Sequence, residues 1–314
     1  MTRRIMAFAL LFSIFMLSWI TPAAADGGGG LRIACIMRGG STYWDNVARG
    51  INDEAAAHGD SVLYLYIAGV ENALSWESAA RIALLSGCRV ILTSYSSDEG
   101  YLDCIREARE SGCGVVFMDN DGPEELRDCY VGVDTLAAGR AMAENMLRYL
   151  SPGDVALLCT SPVFAGNQNQ ALLRQGIEEV FAASECRLDY FSDSLNLDER
   201  KQTELDEYLT AHTEVRGVFS MSQLQTRGYV SLSTGSSWGS RVHIIGIDYQ
   251  EVVRPAIESG LLTLLDKSSY ELGAASCRVA RVLASGGAPE SCRIHVPFTI
   301  LDEGSIGRYL EEVK

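Results

Sequence analysis

The sequence predicts an α/β protein built as two doubly wound lobes. Helical and strand-like patterns alternate along nearly the whole chain from Leu31, and repeated β-α-β-α order implies parallel sheets covered by helices on both faces. One phrase is written twice, as SGCRVILTSYSSDEG from Ser86 to Gly100 and as SGCGVVFMDNDG from Ser111 to Gly122. In each copy Ser-Gly ends a helix, an apolar run forms a buried strand, and a polar cluster follows at the strand's carboxyl end, where open α/β sheets bind ligands. The 314 residues, 47% of them apolar, can fill one large or two medium cores.

The first 25 residues stand apart. Arg3 and Arg4 precede an apolar run from Ile5 to Ile20, and TPAAAD puts Ala23 and Ala25 at the small-residue positions of a cleavage site. Residues 1–25 therefore read as a secretory signal peptide. The alternative is an uncleaved membrane anchor, for which the run is short of the roughly 20 apolar residues of a span. Residues 26–30 form a glycine linker. LRIACIM then reads as a strand and RGGST as a loop. YWDNVARGINDEAAAHG is a helix on which Trp44, Val47, Ala48, Ile51 and Ala55 share a face, with Gly59 at its end. SVLYLYIA is a strand, WESAARIALLSG a helix, RVILTS a strand, YLDCIREARESG a helix and GVVFMD a strand. YVGVD and AAGRAMAENMLRYL lead, as strand and helix, to DVALLC, which opens a second layered unit. That unit continues with a helix near Asn169 to Phe181, the strand RLDYF, the helix ERKQTELDEYLTAH and the strand VRGVFSM. A helix from Gln223, the strand VHIIGID, a helix near Glu251 to Ser259 and the strand LLTLLD follow. YELGAASCRVARVLASGG is a long helix and IHVPFTIL a last strand.

Charge and cysteine content narrow the function classes. The chain carries 26 basic against 41 acidic side chains, the reverse of the footprint expected of a nucleic-acid binder. All nine cysteines follow the signal segment; export permits disulfides, and an odd count leaves at least one free thiol in a monomer. Cys88 and Cys113 hold equivalent places in the repeated phrase and are expected to lie close together. Cys35, Cys159 and Cys186 sit in apolar runs, as small hydrophobes do. There is no CxxC, and His58, His212, His243 and His295 are scattered, so no metal site is expected. No GxSxG, HExxH or glycine-rich phosphate loop is present. Neither catalysis nor a cofactor is expected.

STYWDNVARGINDEAAAHG is similar to the first loop and helix of the periplasmic sugar-binding proteins of the ribose-binding type. DNDGPEELRDCYVGVDTLAAGRAMAENML is similar to the stretch that carries their chain from first lobe to second. VFSM, IIGIDYQ and LLDKSSYELGAA resemble three later landmarks, in the family's order and spacing. The resemblance spans nearly all of the chain after the signal segment. It implies the type 1 periplasmic binding protein fold, two Rossmann-like lobes joined by three crossover segments and closing on a ligand like a Venus flytrap. The crossovers would fall near Asp134, Lys267 and Arg293, giving a first lobe of residues 31–134 plus 268–293 and a second of 135–267 plus 294–314. It further implies a monomer in the periplasm, or otherwise outside the cytoplasm, that binds a small polar ligand, a sugar or a sugar-like molecule, for an ABC permease. The alternative is a sensory receptor presenting its bound state to a membrane histidine kinase or chemoreceptor. Repressors of the lactose-repressor type share the fold, but carry a DNA-binding helix-turn-helix where this chain has its signal segment.

The same resemblance places ligand-facing residues one by one. Ser41, Thr42, Tyr43 and Trp44 stand at the family's Asn-Pro-aromatic-aromatic run; Trp44 either stacks on an apolar ligand face or packs on its own helix. Asp119 matches an acid that accepts from ligand hydroxyls, and Asn120 stands where the family has arginine. A second family arginine falls at Ala171, on the helix start that carries Asn169. Ser222 replaces an asparagine, Asp248 keeps an acid, and Lys267 replaces a glutamine. The polar cluster after the first repeated strand adds Ser97 and Asp98. Arg38 ends the first strand, either as a hydrogen-bonding fork in the cleft or as a surface arginine paired with an acid. Lys267, one of three lysines, either meets an oxyanion such as that of a sugar acid or forms a salt bridge to Asp266 or Asp248 that fixes the hinge.

Overall fold

The computed structural model describes residues 30–161, 167–193 and 198–312. Residues 1–29, which include the expected signal peptide and most of the glycine linker, lie outside the described residues. In chain order the elements are β1 (Arg32–Arg38), α1 (Thr42–Ala57), β2 (Ser61–Ala68), α2 (Trp76–Leu85), β3 (Val90–Thr93), α3 (Glu99–Glu110), β4 (Gly114–Met118), β5 (Cys129–Gly132) and α4 (Thr135–Leu147). There follow β6 (Val155–Thr160), α5 (Gln168–Ala182), β7 (Arg187–Ser192), α6 (Glu199–Ala211), β8 (Val215–Phe219), α7 (Gln223–Ser233) and β9 (His243–Ile247). The last are α8 (Arg254–Glu258), β10 (Leu262–Asp266), α9 (Ser269–Ala284), β11 (Arg293–His295), β12 (Thr299–Leu301) and α10 (Ile306–Glu312).

These build two six-stranded sheets, ordered β11-β5-β4-β3-β1-β2 and β12-β10-β9-β8-β6-β7. Every pairing is parallel except that of β12 with β10. Parallel strands buried on both faces need apolar residues throughout, and β1 supplies them. Ile33, Cys35 and Met37 enter a core closed by α1 and α9, while Ala34 and Ile36 enter the opposite core under α2 and α3. In the second lobe Val155, Leu157 and Cys159 of β6 face one core and Ala156 and Leu158 the other.

The repeated phrase behaves as its residues require. Ser86 and Ser111 close α2 and α3, and Gly87 and Gly112 follow at φ +67° and +82°, a conformation that suits glycine at a helix end. β3 and β4 then run side by side, with Val90 opposite Gly114. This brings the Cys113 thiol within 3.4 Å of the Cys88 carbonyl, so the two cysteines are neighbours, both as free thiols.

The chain leaves the first sheet after β5 through Val133 and Asp134, and returns from β10 through Lys267 and Ser268. The third crossing lies a few residues beyond Arg293. Arg293 is paired with Tyr130 in the first sheet, and its guanidinium lies 2.8 Å from Asp121. Strand pairing and this ion pair keep the chain in the first sheet through His295, so it changes sheet between Val296 and Phe298, beyond Arg293.

Each lobe has one helix crossing closed on glycine. A Cβ on Gly273 of α9 would lie 2.0 Å from the Val47 carbonyl oxygen, and one on Gly50 of α1 would lie 2.1 Å from that of Tyr270. Gly139 of α4 and Gly176 of α5 are as tightly placed, against the Leu173 and Leu136 carbonyls. Backbone cannot yield as a side-chain tip can. Gly273→Ala is therefore expected to destabilise the protein by about 1–3 kcal/mol. Gly307→Ala in α10, where a Cβ meets nothing within 4 Å, is expected to be neutral or to stabilise by up to about 1 kcal/mol. Urea unfolding of the two variants measures the difference; equal stabilities would dismiss the tight-crossing explanation.

Candidate ligand-binding site

The two lobes present one device twice. Asp119 follows β4 and Asp248 follows β9, and both adopt left-handed backbone, at φ +63° and +62°. Each backbone N–H donates to the neighbouring strand, from Asp119 to the Val131 carbonyl at 3.1 Å and from Asp248 to that of Leu265 at 2.8 Å. Aspartate tolerates this conformation better than most residues, yet a non-glycine held there stores about 1–3 kcal/mol, a feature concentrated at functional sites. Both carboxylates thus sit at carboxyl ends of parallel strands, one on each lobe.

Lys267, in the second crossover, joins them. Its Nζ lies 3.1 Å from Asp119 Oδ1 and 3.5 Å from Asp248 Oδ2, and 4.4 Å from the centroid of the Tyr43 ring. Tyr43, on the first turn of α1, donates its hydroxyl to the same Asp119 Oδ1 at 2.7 Å. The Asp119 backbone carbonyl accepts from the Tyr130 hydroxyl at 3.0 Å and from the side-chain amide of Asn169 on α5. First lobe, second lobe and crossover all meet at Asp119. The cluster is not sealed, since Lys267 keeps 19% and Asp119 25% of side-chain area exposed. Asp248 is more deeply set, and its Oδ1 is buried with no hydrogen-bond partner among the described residues.

Other residues singled out in the sequence take different places. Ser41, Asp98 and Ser222 cap α1, α3 and α7, accepting from the backbone N–H groups of Trp44, Tyr101 and Gln225, which satisfies donors every helix start leaves open. Asn120 donates to the Tyr95 carbonyl at 3.1 Å and braces the loop after β3, leaving its Oδ1 buried without a partner among the described residues. Trp44 is half-buried, edge-on to Tyr43 at 5.2 Å, and packs against the first-lobe core. Arg38 and Ser97 are exposed and form no hydrogen bond or ion pair with the cluster.

Three groups near the strand ends escaped sequence reasoning. Tyr130 holds Asp119 from below, but in CYVGV it reads as one more strand residue. Gln170 of α5 donates to the Met221 carbonyl at 3.0 Å and keeps a buried, unpartnered Oε1 among the described residues. Gln223 of α7 keeps its Nε2 likewise. For the two glutamines the usable signal is a polar residue in the first turn of a helix that follows a strand.

A cavity of about 130 Å³ adjoins the cluster, lined by Tyr130, Asp121 and Arg293 on the first lobe and by Thr135, Asn169 and Leu172 on the second. A larger cavity of about 780 Å³ is lined by Leu224, Arg227, Val252 and Pro255 among others, and shares no residue with the cluster. Among the described residues no group of three or more His, Cys, Asp or Glu could hold a metal ion.

Electrostatics tie the cluster together. Burial opposes the charge on Lys267, but Asp119 and Asp248 outweigh it and lift the ammonium above its ordinary range. Burial pushes Asp248 up to about 7; Lys267 pulls it down, while Asp266 and Asp119 add to the rise. Burial, then Asp119, holds Tyr43 well above the usual phenol value, so it remains a neutral donor. Because Asp248 titrates higher in the folded than in the unfolded chain, its stabilising contribution is complete below its unfolded value of 3.8 and is lost as pH rises through about 7. Asp248→Asn is expected to flatten the fall in Tm across that window, read by thermal melts at several pH values; an unchanged slope would clear Asp248 as its source. Tyr43→Phe removes a bond to a carboxylate and is expected to cost about 1.5–3 kcal/mol in urea unfolding.

Residues 33–288 match the family model for the periplasmic binding protein domain. Over 300 residues the chain is 18% identical to the D-ribose/D-allose-binding protein of Pseudomonas aeruginosa, covering 92% of this chain and 93% of that one. An ABC transporter solute-binding protein from Burkholderia graminis, solved with D-arabinose, is similar at a TM-score of 0.78 and 16% identity, over 90% of this chain and 98% of its own. The XylFII–LytSN complex includes a chain similar at a TM-score of 0.74 and 19% identity, over 88% and 99%. At such identities the solved structures speak for the fold, while the family match runs through most of both lobes. The chain belongs to the periplasmic binding protein domain family, and its two six-stranded lobes have the type 1, ribose-binding architecture.

Proposed function

We propose that this chain is an exported receptor that captures a small, neutral, polyhydroxylated ligand between its lobes and presents the closed form to an ABC permease. The observation that carries this reading is the pair of carboxylates, Asp119 and Asp248, at equivalent strand ends of opposite lobes. Carboxyl oxygens accept hydrogen bonds, most strongly when ionised, so a ligand with several hydroxyls donates to both at once and draws the lobes together. Tyr43 and Trp44 offer apolar ring surface beside them. Lys267 already faces two carboxylates, at 3.1 and 3.5 Å. An anionic ligand would have to win the ammonium from both acids while lying against them. This favours the hinge salt bridge over the oxyanion reading, and a neutral ligand over a sugar acid. The site performs binding and no turnover.

The sugars named for the Pseudomonas aeruginosa and Burkholderia graminis proteins, D-ribose, D-allose and D-arabinose, are the first ligands to try. The transporter assignment of the Burkholderia protein supports delivery to a permease, and residues 1–25 supply the export signal this needs. A second reading is sensory, and the XylFII–LytSN complex favours it as an instance of this fold joined to a second protein. Neighbouring permease and ATPase genes support the first reading; a neighbouring sensor gene supports the second.

Thermal-shift assays and calorimetric titration with these three sugars, further neutral polyols and the corresponding sugar acids test the proposal. A neutral sugar at about 100 times its Kd is expected to stabilise the protein by roughly 2.7 kcal/mol. Asp119→Asn is expected to weaken that ligand by about tenfold to a hundredfold, and Lys267→Gln to leave neutral sugars bound. Binding of sugar acids alone, lost in Lys267→Gln, would reverse the charge assignment.

A further inference from the structure

We infer that Cys129 and Cys292 form a thiol pair that closes to a disulfide across the β5–β11 edge of the first sheet. In this parallel pair Arg293 is opposite Tyr130 and Ile294 is opposite Val131. The Tyr130 N–H donates to the Cys292 carbonyl at 2.9 Å, which extends the ladder by one residue and sets Cys292 beside Cys129. Adjacent strands lie about 4.8 Å apart, inside the roughly 4.4–6.8 Å Cα separation a disulfide accepts. Val131 and Ile294 both pack into the core under α1 and α9. Side chains alternate along a strand, so Cys129 and Cys292, each two residues earlier, project from that same face. Cys129 belongs to that core, and its Sγ reaches the Ser291 carbonyl at 3.4 Å, across the gap between the strands. Cys88 and Cys113, by contrast, are offset by one residue in their own pair of strands.

Accessibility fixes the order of the chemistry. Cys292 is exposed and Cys129 buried, and burial pushes the Cys129 thiol up to about 11. The Cys292 thiolate attacks an external disulfide, forming a mixed disulfide and expelling one thiol. Cys129 then gives up its proton, attacks the Cys292 sulfur and expels the second thiol. Two protein thiols are oxidised and one external disulfide is reduced to two thiols. The oxidant is a small-molecule or protein disulfide of the kind present outside the cytoplasm.

The position gives the bond a mechanical effect. β5 runs into the first crossover and β11 into the third. A bond at their amino ends makes the two hinge strands one covalent unit and encloses the body of the second lobe in a closed loop of chain.

The test uses the full chain, reduced, freed of reductant, treated with oxidised glutathione, alkylated and cut with trypsin. Cleavage at Arg127, Arg140, Arg281 and Arg293 places the two cysteines in peptides 128–140 and 282–293, with no other cysteine in either. The expected product is these peptides joined by a disulfide, with a higher Tm for the oxidised than for the reduced protein. Cys292→Ser should lose both, and a Cys88→Ser, Cys113→Ser double variant should keep both. Recovery of Cys129 alkylated while Cys292 carries only glutathione overturns the inference, as does Cys292 joined to any other cysteine.

Discussion

The contact between Lys267 and its two aspartates is the interaction on which the rest of this structure turns. Two acids brought to the seam of two lobes repel each other and resist burial. An ammonium between them offsets the repulsion and pairs with one oxygen on each side. Its position in a crossover matters as much as its charge, because a residue between lobes can reach a carboxylate on each. Tyr43 and Tyr130 hold Asp119 from the first lobe, and Asn169 from the second. The cluster is thus a joint between the lobes as well as the proposed site.

Its symmetry comes from the sheets. β4 and β5 relate to Asp119 as β9 and β10 relate to Asp248. In both lobes a left-handed residue closes one strand and its N–H is held by the next. The glycine-closed helix crossings repeat in the same way, α1 with α9 and α4 with α5. One architectural solution is used twice and then made unequal by a single lysine, which has no counterpart at the first crossover, where Val133 and Asp134 stand.

Much of this was legible in the sequence, for physical reasons. Strand and helix periods are strong where strands are buried on both faces, so both lobes and the turn between Ser86 and Val90 read correctly. The stretch IHVPFTIL, expected as one strand, is instead split between β11 and β12 in different sheets, because three residues carry too little pattern to show which sheet they join; the pairing of Arg293 with Tyr130 and of Thr299 with Asp266 decides it. Among the candidate site residues, three also serve as helix caps. A helix that follows a strand needs a polar cap at the place where a ligand would also want a polar contact. Ser41, Asp98 and Ser222 meet the first need, and residue type alone does not separate it from the second. Asp119, Asp248 and Lys267 differ because no cap requires them.

The glycine crossing between α1 and α9 also sets an order of assembly. α1 is among the first elements of the chain and α9 among the last, with the body of the second lobe between them. α4 and α5, by contrast, are consecutive helices. Contacts close in sequence form readily, while distant ones wait on loop closure. The second lobe can therefore consolidate from a continuous stretch, whereas the first keeps the inner face of α1 uncovered until α9 arrives. During that interval the apolar side of β1, with Ile33, Cys35 and Met37, lacks one of its two covers. While the chain is still being completed, its uncovered apolar surface is that of the amino-terminal half, and surface of this kind is what makes partly folded chains prone to associate.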